Sequence, residues 1–211
     1  MIITYLGKQF FKVQQGDLVI AFNPISKDSK LSIKAARFGA DIALSSLNHP
    51  DYNGIDQLSH GETVPFAITG PGDYEVRDIF IKGIMSEIEV KGKKHINTIY
   101  TLSVDGISIC FLGAENSKLS NEAIEAIDEP DILFLPIGGD GVYGAAEAYK
   151  MAVSLSPKII IPMDYGSDKE KDSLKTFLKE GGEEKLVALD KLTIKRKDLE
   201  GKDGEIVLLS S

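Results

Sequence analysis

The chain has 211 residues, 43% hydrophobic, 27% charged and 8% aromatic, a globular composition that excludes disorder, a collagen-like repeat and a coiled coil. With 24 Lys plus Arg against 32 Asp plus Glu the formal net charge is −8, a sign that opposes phosphate backbones and predicts no nucleic-acid partner. Cys110 is the only cysteine, which excludes a disulfide framework and a cysteine-built zinc site and suits a reducing cytoplasm. No apolar run approaches the roughly 20 residues of a bilayer span. Met1 leads directly into a strand pattern without a basic region or cleavage site. The chain reads as one soluble, cytoplasmic domain over residues 1–211 with no membrane partner.

In chain order, residues 2–6 and 9–14 carry short strand patterns, and Gly16-Asp17 turns into a third strand, 18–23, stopped by Pro24. A polar loop with Lys27, Asp28, Ser29 and Lys30 follows, and residues 33–38 are predicted as a short helix closed by Gly39. Residues 42–45 form a brief apolar run of the buried-strand kind. The polar cluster 46–54 stands at its C-terminal end, where α/β folds place their chemistry. Strands are predicted over 65–69 and 79–83, separated by a turn at 70–73, and a hairpin over 97–103 and 107–112 about Asp105-Gly106. Ser120 caps a helix reaching Ile127. Near-continuous apolar strands over 131–137 and 158–162 flank a helix over 145–155. Ser167 and Glu170 make a capping box for a helix over 168–179 that ends at Gly181-Gly182, and strands are expected over 186–189, 192–196 and 205–209. Strands at both ends with βαβ-like units between them predict an α+β or α/β domain, with strand sheets inside and helices outside.

The candidate residues have plain structural roles as well. Asn48-His49-Pro50-Asp51 has the composition of a turn, in which Asn and Asp bond their own backbone and Pro fixes φ; His49 then donates to a nearby carboxylate or carbonyl. His60 and His95 fall in polar loops and read as solvent-exposed. Cys110, within a strand, reads as a buried inert thiol. Gly138-Gly-Asp-Gly141 lacks the Lys-Ser/Thr of a phosphate loop and reads as a turn feeding the next helix. Asp140 and Tyr143 are placed to border a cleft, because that loop follows a buried strand. Ser45 and Ser46 precede His49, but no Ser-His-Asp order marks a nucleophile.

Five segments in order carry a family resemblance: Thr4-Tyr-Leu-Gly-Lys8, Ile20-Ala-Phe-Asn-Pro24, Ser46-Leu-Asn-His-Pro-Asp-Tyr-Asn-Gly54, Phe111-Leu-Gly-Ala114 and Ile161-Pro-Met-Asp-Tyr-Gly166. Gly70-Pro-Gly-Asp-Tyr-Glu75 and Pro136-Ile-Gly-Gly139 add to it. Together they resemble the metallo-β-lactamase superfamily, in particular its small stand-alone metal-dependent hydrolase branch. The resemblance implies a four-layer αββα sandwich with a metal site at one sheet edge.

Function does not follow from the sandwich, because the family's chemistry belongs to its ligands. Its His-x-His-x-Asp-His motif falls on Leu47, His49, Asp51 and Tyr52. Its middle histidine falls near Ile88, its bridging aspartate on Ala114 and its last histidine on Asp164. Only His49 and Asp51 keep the family's residue types. Zinc takes about four donors from His, Cys and carboxylate, and Leu47, Ile88 and Ala114 have none to offer. Lys8 and Asn23 stand where the family usually has histidine and aspartate. We therefore expect the ammonium of Lys8 to fill part of the metal space and to pair with Asp51 or Asp164, offsetting two otherwise uncompensated carboxylates.

Three functional readings stay open. One is a pseudoenzyme that has lost the dinuclear centre and acts as a binding or structural module; it expects no cofactor. Another is a hydrolase with a remodelled site that holds one weakly bound zinc, manganese or iron on His49, Asp51 and Asp164. The last is a metal-free enzyme with His49 and Asp51 as acid/base pair and Lys8 steadying an anion. Asn23, Tyr52, Ala114, Asp140 and Tyr143 are expected to line the cleft. The partner is an unidentified small molecule or protein, and the tail strands are candidates for pairing in a homo-oligomer.

Overall fold

Two kinds of apolar run build two sheets. The computed structural model describes residues 1–33, 36–62, 64–165 and 172–211. Alternating runs open the chain: β1 (Ile2–Tyr5) and β2 (Phe11–Gln15) bury every second side chain facing the core. β3 (Leu18–Phe22) returns antiparallel to β2 across Gly16, whose φ is 57°. β4 (Ile42–Leu44) and β5 (Phe66–Ile68) then add in parallel. β6 (Gly72–Val76), β7 (Ile79–Val90), β8 (Lys93–Val104) and β9 (Ile107–Phe111) form an antiparallel meander. The β8–β9 turn places Asp105 and Gly106 at φ 53° and 71°, the mirror-image turn that matches strand twist.

α1 (Asn121–Ile127) leads to β10 (Ile132–Pro136), and α2 (Ala145–Leu155) to β11 (Ile159–Met163). Both strands are wholly buried and parallel to their neighbours, which is why their sequence is unbroken hydrocarbon. α3 (Ser173–Glu180) follows, and the tail contributes two-residue strands, β12 (Leu192–Thr193) on β1 and β13 (Glu205–Ile206) on β11. The sheet orders are β12-β1-β2-β3-β4-β5 and β13-β11-β10-β9-β8-β7-β6.

The core lies between the sheets, where Phe11 and Phe22 of one meet Phe111 and Phe134 of the other. Phe11 meets Phe134 edge-on at 4.7 Å and Phe22 lies 4.9 Å from Phe111, contacts worth about 0.5–1.5 kcal/mol each beyond buried area. Outside the second sheet, Ala123, Ala148, Ala152 and Phe177 of the helices cover Cys110, Leu133 and Ile160. Outside the first, Ile25, Leu31, Phe38 and the 3-10 turn Ile55–Leu58 cover Phe10, Ala21 and Ala43. The layers form the αββα sandwich that the resemblance implies.

Several elements depart from expectation. The strand expected over 79–83 runs on to Val90, and its partner starts at Lys93, giving a hairpin with twelve residues in each strand, turned by Lys91 (φ 52°) and Gly92 (φ 75°). Its outer half leaves the core, so Met85, Glu87 and Glu89 are exposed and the apolar signal thins. The turn expected at 70–73 is overtaken by β6 from Gly72. Of the helix expected over 33–38, residues 34–35 lie outside the described residues, and Ile33, Ala36, Arg37 and Phe38 are in no helix; Ile33, Ala36 and Phe38 pack as loop on the first sheet's outer cluster, and Arg37 is exposed. Ser167 and Glu170 also lie outside the described residues; α3 starts at Ser173 behind Asp172. In the tail, Leu189 makes only an isolated bridge with Leu209, and Arg196–Leu199 is a 3-10 turn whose Asp198 carboxylate accepts from the Lys195 N–H at 2.9 Å. That local bond competes with strand pairing.

Candidate functional site

The segments after β1, β3, β4, β9, β10 and β11 meet at one end of the sandwich, and a cleft of about 320 Å³ opens there. Its floor is a polar network built on three non-glycine residues with left-handed backbone: Lys8 (φ 57°), Asn23 (φ 45°) and Asp164 (φ 58°). Such conformations cost about 1–3 kcal/mol each and persist only where surrounding contacts fix them. Here the Asp164 N–H donates to the Lys8 carbonyl at 2.7 Å, and the Tyr5 hydroxyl donates to the same oxygen at 2.9 Å. The Lys8 ammonium donates to Asp164 Oδ1, and Gln9 Nε2 donates to Oδ2 at 2.8 Å. Asn23 Nδ2 donates to Gln9 Oε1 and Ser46 Oγ, both at 2.9 Å, while Asn23 Oδ1 accepts from the Ser46 N–H at 2.7 Å. Lys8 therefore pairs with Asp164, not with Asp51.

Asp51 belongs to the turn after β4. Its Oδ1 accepts from Ser29 Oγ at 2.5 Å, and its N–H donates to His49 Nδ1 at 3.3 Å. His49 Nδ1 is 3.6 Å from Asp51 Oδ2, and the His49 side chain is 56% exposed. That separation exceeds hydrogen-bond length, so the carboxylate does not orient the imidazole as in a catalytic dyad. The Asn48-His49-Pro50-Asp51 segment is a turn, with the Tyr52 N–H donating to the His49 carbonyl at 2.8 Å.

Four positions that the resemblance maps onto metal ligands, Leu47, Tyr52, Ile88 and Ala114, pack with Val90 and Val142 in one apolar cluster. Ala114 is held there by Asn97, whose Oδ1 accepts the Ala114 N–H at 2.9 Å. Gly113 beside it has φ 65°, and a Cβ there would lie 2.5 Å from Asn97 Oδ1, so only glycine permits the approach. The fully buried Glu115 accepts from the Asn116 and Ser117 N–H groups at 3.0 Å and from Ser117 Oγ at 2.9 Å.

The residues present do not fit the family's pair of metals. Hydrocarbon stands at three donor positions, and both Asp164 oxygens are engaged by Lys8 and Gln9. Among the described residues no group of three or more His, Cys, Asp or Glu side chains is placed to hold a metal ion.

Tyr52 is 7% exposed and borders the cleft. Its ring centroid lies 5.9 Å from Lys8 Nζ and 5.9 Å from the His49 ring. Burial first, then the charges of Asp164, Asp51 and Asp140, push its phenol well above the ordinary range, so it remains an O–H donor.

Of the residues expected to line the cleft, Lys8, His49, Asp51, Tyr52, Ala114, Asp140 and Asp164 do so. Asn23 does not: it is the fully buried part of the network that forms the floor. Tyr143 does not either, because its hydroxyl turns inward to the Ser117 carbonyl. The cleft also takes in Val90, Lys91 and His95 from the β7–β8 hairpin. Sequence reasoning missed these three and placed His95 in a loop; the alternation of Ile84, Ser86, Ile88 and Val90 before Lys91-Gly92 was the available signal.

This fold, two packed sheets with a cleft at one end, is that of the metallo-β-lactamase class. A family model for the β-lactamase superfamily domain matches residues 2–164, and the chain belongs to that superfamily. It is 25% identical over 199 residues to a UPF0173 metal-dependent hydrolase of Methanopyrus kandleri, covering 79% of this chain and 85% of the relative. A match to the Archaeoglobus fulgidus UPF0173 metal-dependent hydrolase is 32% identical over 68 residues, 32% of this chain and only 29% of that relative. Among solved structures, a candidate Zn-dependent hydrolase of the metallo-β-lactamase superfamily from Thermotoga maritima superposes with a TM-score of 0.74 at 25% identity, over 99% of this chain and 97% of that one. No helix among the described residues is long and apolar enough to cross a membrane.

Proposed function

We propose that this chain is a binding module of the superfamily, a pseudoenzyme whose cleft takes a small molecule without a metal pair. The observation that carries this is the replacement of donors by mutual packing: Leu47, Ile88 and Ala114 share one apolar cluster, while Lys8 and Gln9 occupy the Asp164 carboxylate. In the fold's ordinary reaction a metal lowers the pKa of bound water from 15.7 to about 7. Without it, general-base action by His49 supplies only about 10²–10⁴-fold. The geometry gives even that little help, because Asp51 stands 3.6 Å from His49 Nδ1 and Lys8 is committed to Asp164.

Thermal melting with zinc or manganese, after chelator treatment, tests this. An ion that binds only the folded chain, present at 100 times its Kd, adds about 2.7 kcal/mol, which raises the midpoint by several degrees in a chain this size. We expect no rise. A clear rise that His49→Ala abolishes would replace the proposal with a mononuclear hydrolase.

A further inference from the structure

Tyr52 keeps a hydrogen-bond donor for whatever enters the cleft. Among the described residues it donates to none, and no fully enclosed polar side-chain atom there lacks a partner, so its hydroxyl is not sealed from solvent and lies at the cleft that Tyr52 borders. Lys8 Nζ, 5.9 Å from the Tyr52 ring, gives one hydrogen bond to Asp164, and its side chain is 20% exposed. An ammonium has three donors, so Lys8 and Tyr52 together form a donor pole. The His49 ring also lies 5.9 Å from that of Tyr52, and next to His49 is Asp51, whose carboxylate accepts from Ser29 Oγ and is itself 20% exposed. A carboxylate has about four lone-pair sites, so Asp51 forms an acceptor pole. Leu47, Val90 and Ala114 supply an apolar wall.

The lining carries carboxylates, Asp51 and Asp164 among them, and the ammonium groups Lys8 and Lys91, so both signs of charge border the cleft. A ligand with both charges meets a complement for each. The volume of about 320 Å³ lies at the lower end of small-molecule sites, a size suited to one compact metabolite.

We propose that the cleft binds a small zwitterion of the α-amino-acid type, with its carboxylate on Tyr52 Oη and Lys8 Nζ, its ammonium on Asp51 and its apolar body against Leu47, Val90 and Ala114. This inference rests on the metal-free proposal above, since a metal on Asp51 and Asp164 would occupy the acceptor pole.

Calorimetric titration of the full chain in chelator uses leucine, isocaproate and isoamylamine as probes, which share one apolar body and differ in their charged groups. Leucine is expected to bind at least about 10-fold more tightly than either single-charge probe. Tyr52→Phe removes no bond within the described protein. It is expected to weaken leucine and isocaproate about 10-fold and leave isoamylamine unchanged, while Asp51→Asn does the reverse for the two single-charge probes. Equal affinity for leucine and a single-charge probe, no binding by any probe, or unchanged leucine affinity in Tyr52→Phe each overturns the proposal. Repeating the titration with zinc or manganese separates the two ideas. Binding that needs the ion overturns both; no binding with or without it overturns this inference alone.

Discussion

Removing the ammonium of Lys8 strands a carboxylate. Asp164 is 7% exposed and Lys8 20% exposed, so the pair sits where water compensates poorly. Breaking a fully buried pair by deleting one partner costs about 3–5 kcal/mol; with Lys8 partly open, Lys8→Met is expected to cost about 2–3 kcal/mol in urea unfolding. Lys8→Met combined with Asp164→Asn should recover most of that, because no uncompensated charge remains. A single-variant loss no larger than that of the double variant would show that the pair does not hold the floor. The pairing of Lys8 with one of two carboxylates was legible because a cation appears in the sequence where ligands vanish. That Asp164 is the partner was not legible: the choice is fixed by the left-handed backbone at both residues and by Gln9, whose burial no local pattern announces.

At the scale of elements, the starts of three parallel strands are tied by Asp131. Its Oδ2 accepts from the Ser108 N–H at 2.8 Å, its own N–H donates to Ser108 Oγ at 2.8 Å, and Lys158 Nζ donates to Oδ1 at 2.6 Å. Burial would raise the carboxyl, but Lys158 and Ser108 outweigh it and hold the group below the ordinary 3.8. The folded chain therefore binds this proton less readily than the unfolded chain. The stability Asp131 contributes is complete above the ordinary value and is lost as pH falls through the lower folded value. Denaturant midpoints measured from neutral pH downward should fall at the acid end, and less steeply in Asp131→Asn; identical slopes would contradict the assignment. Elements with strong periodicity or a cap were readable, as in α2 and in α1 behind Ser120. The β7–β8 extension was not, because Ser86 interrupts the inward face of its outer half, where only Ile88 and Val90 pack, on Leu47, Tyr52 and Ala114. For the same reason the hairpin's contribution to the cleft, Val90, Lys91 and His95, went unseen.

At the scale of the molecule, the layering followed from runs of hydrocarbon and the segments between them, whereas the order of strands across each sheet depends on pairings distant in sequence. The cleft's outline was legible residue by residue through the family resemblance. Its interior was not, since the packing of Leu47, Tyr52, Ile88 and Ala114 against one another is a property of the fold. At the corner where the resemblance implies metal ligands, the described residues form the Lys8–Asp164 ion pair and an apolar cluster. Elemental analysis of untagged protein, produced with zinc, manganese and iron in excess and purified without chelator, measures the consequence directly. The metal content is expected to fall well below one equivalent per chain and to be unchanged in His49→Ala. One or two tightly held equivalents, lost in that variant, would contradict the account.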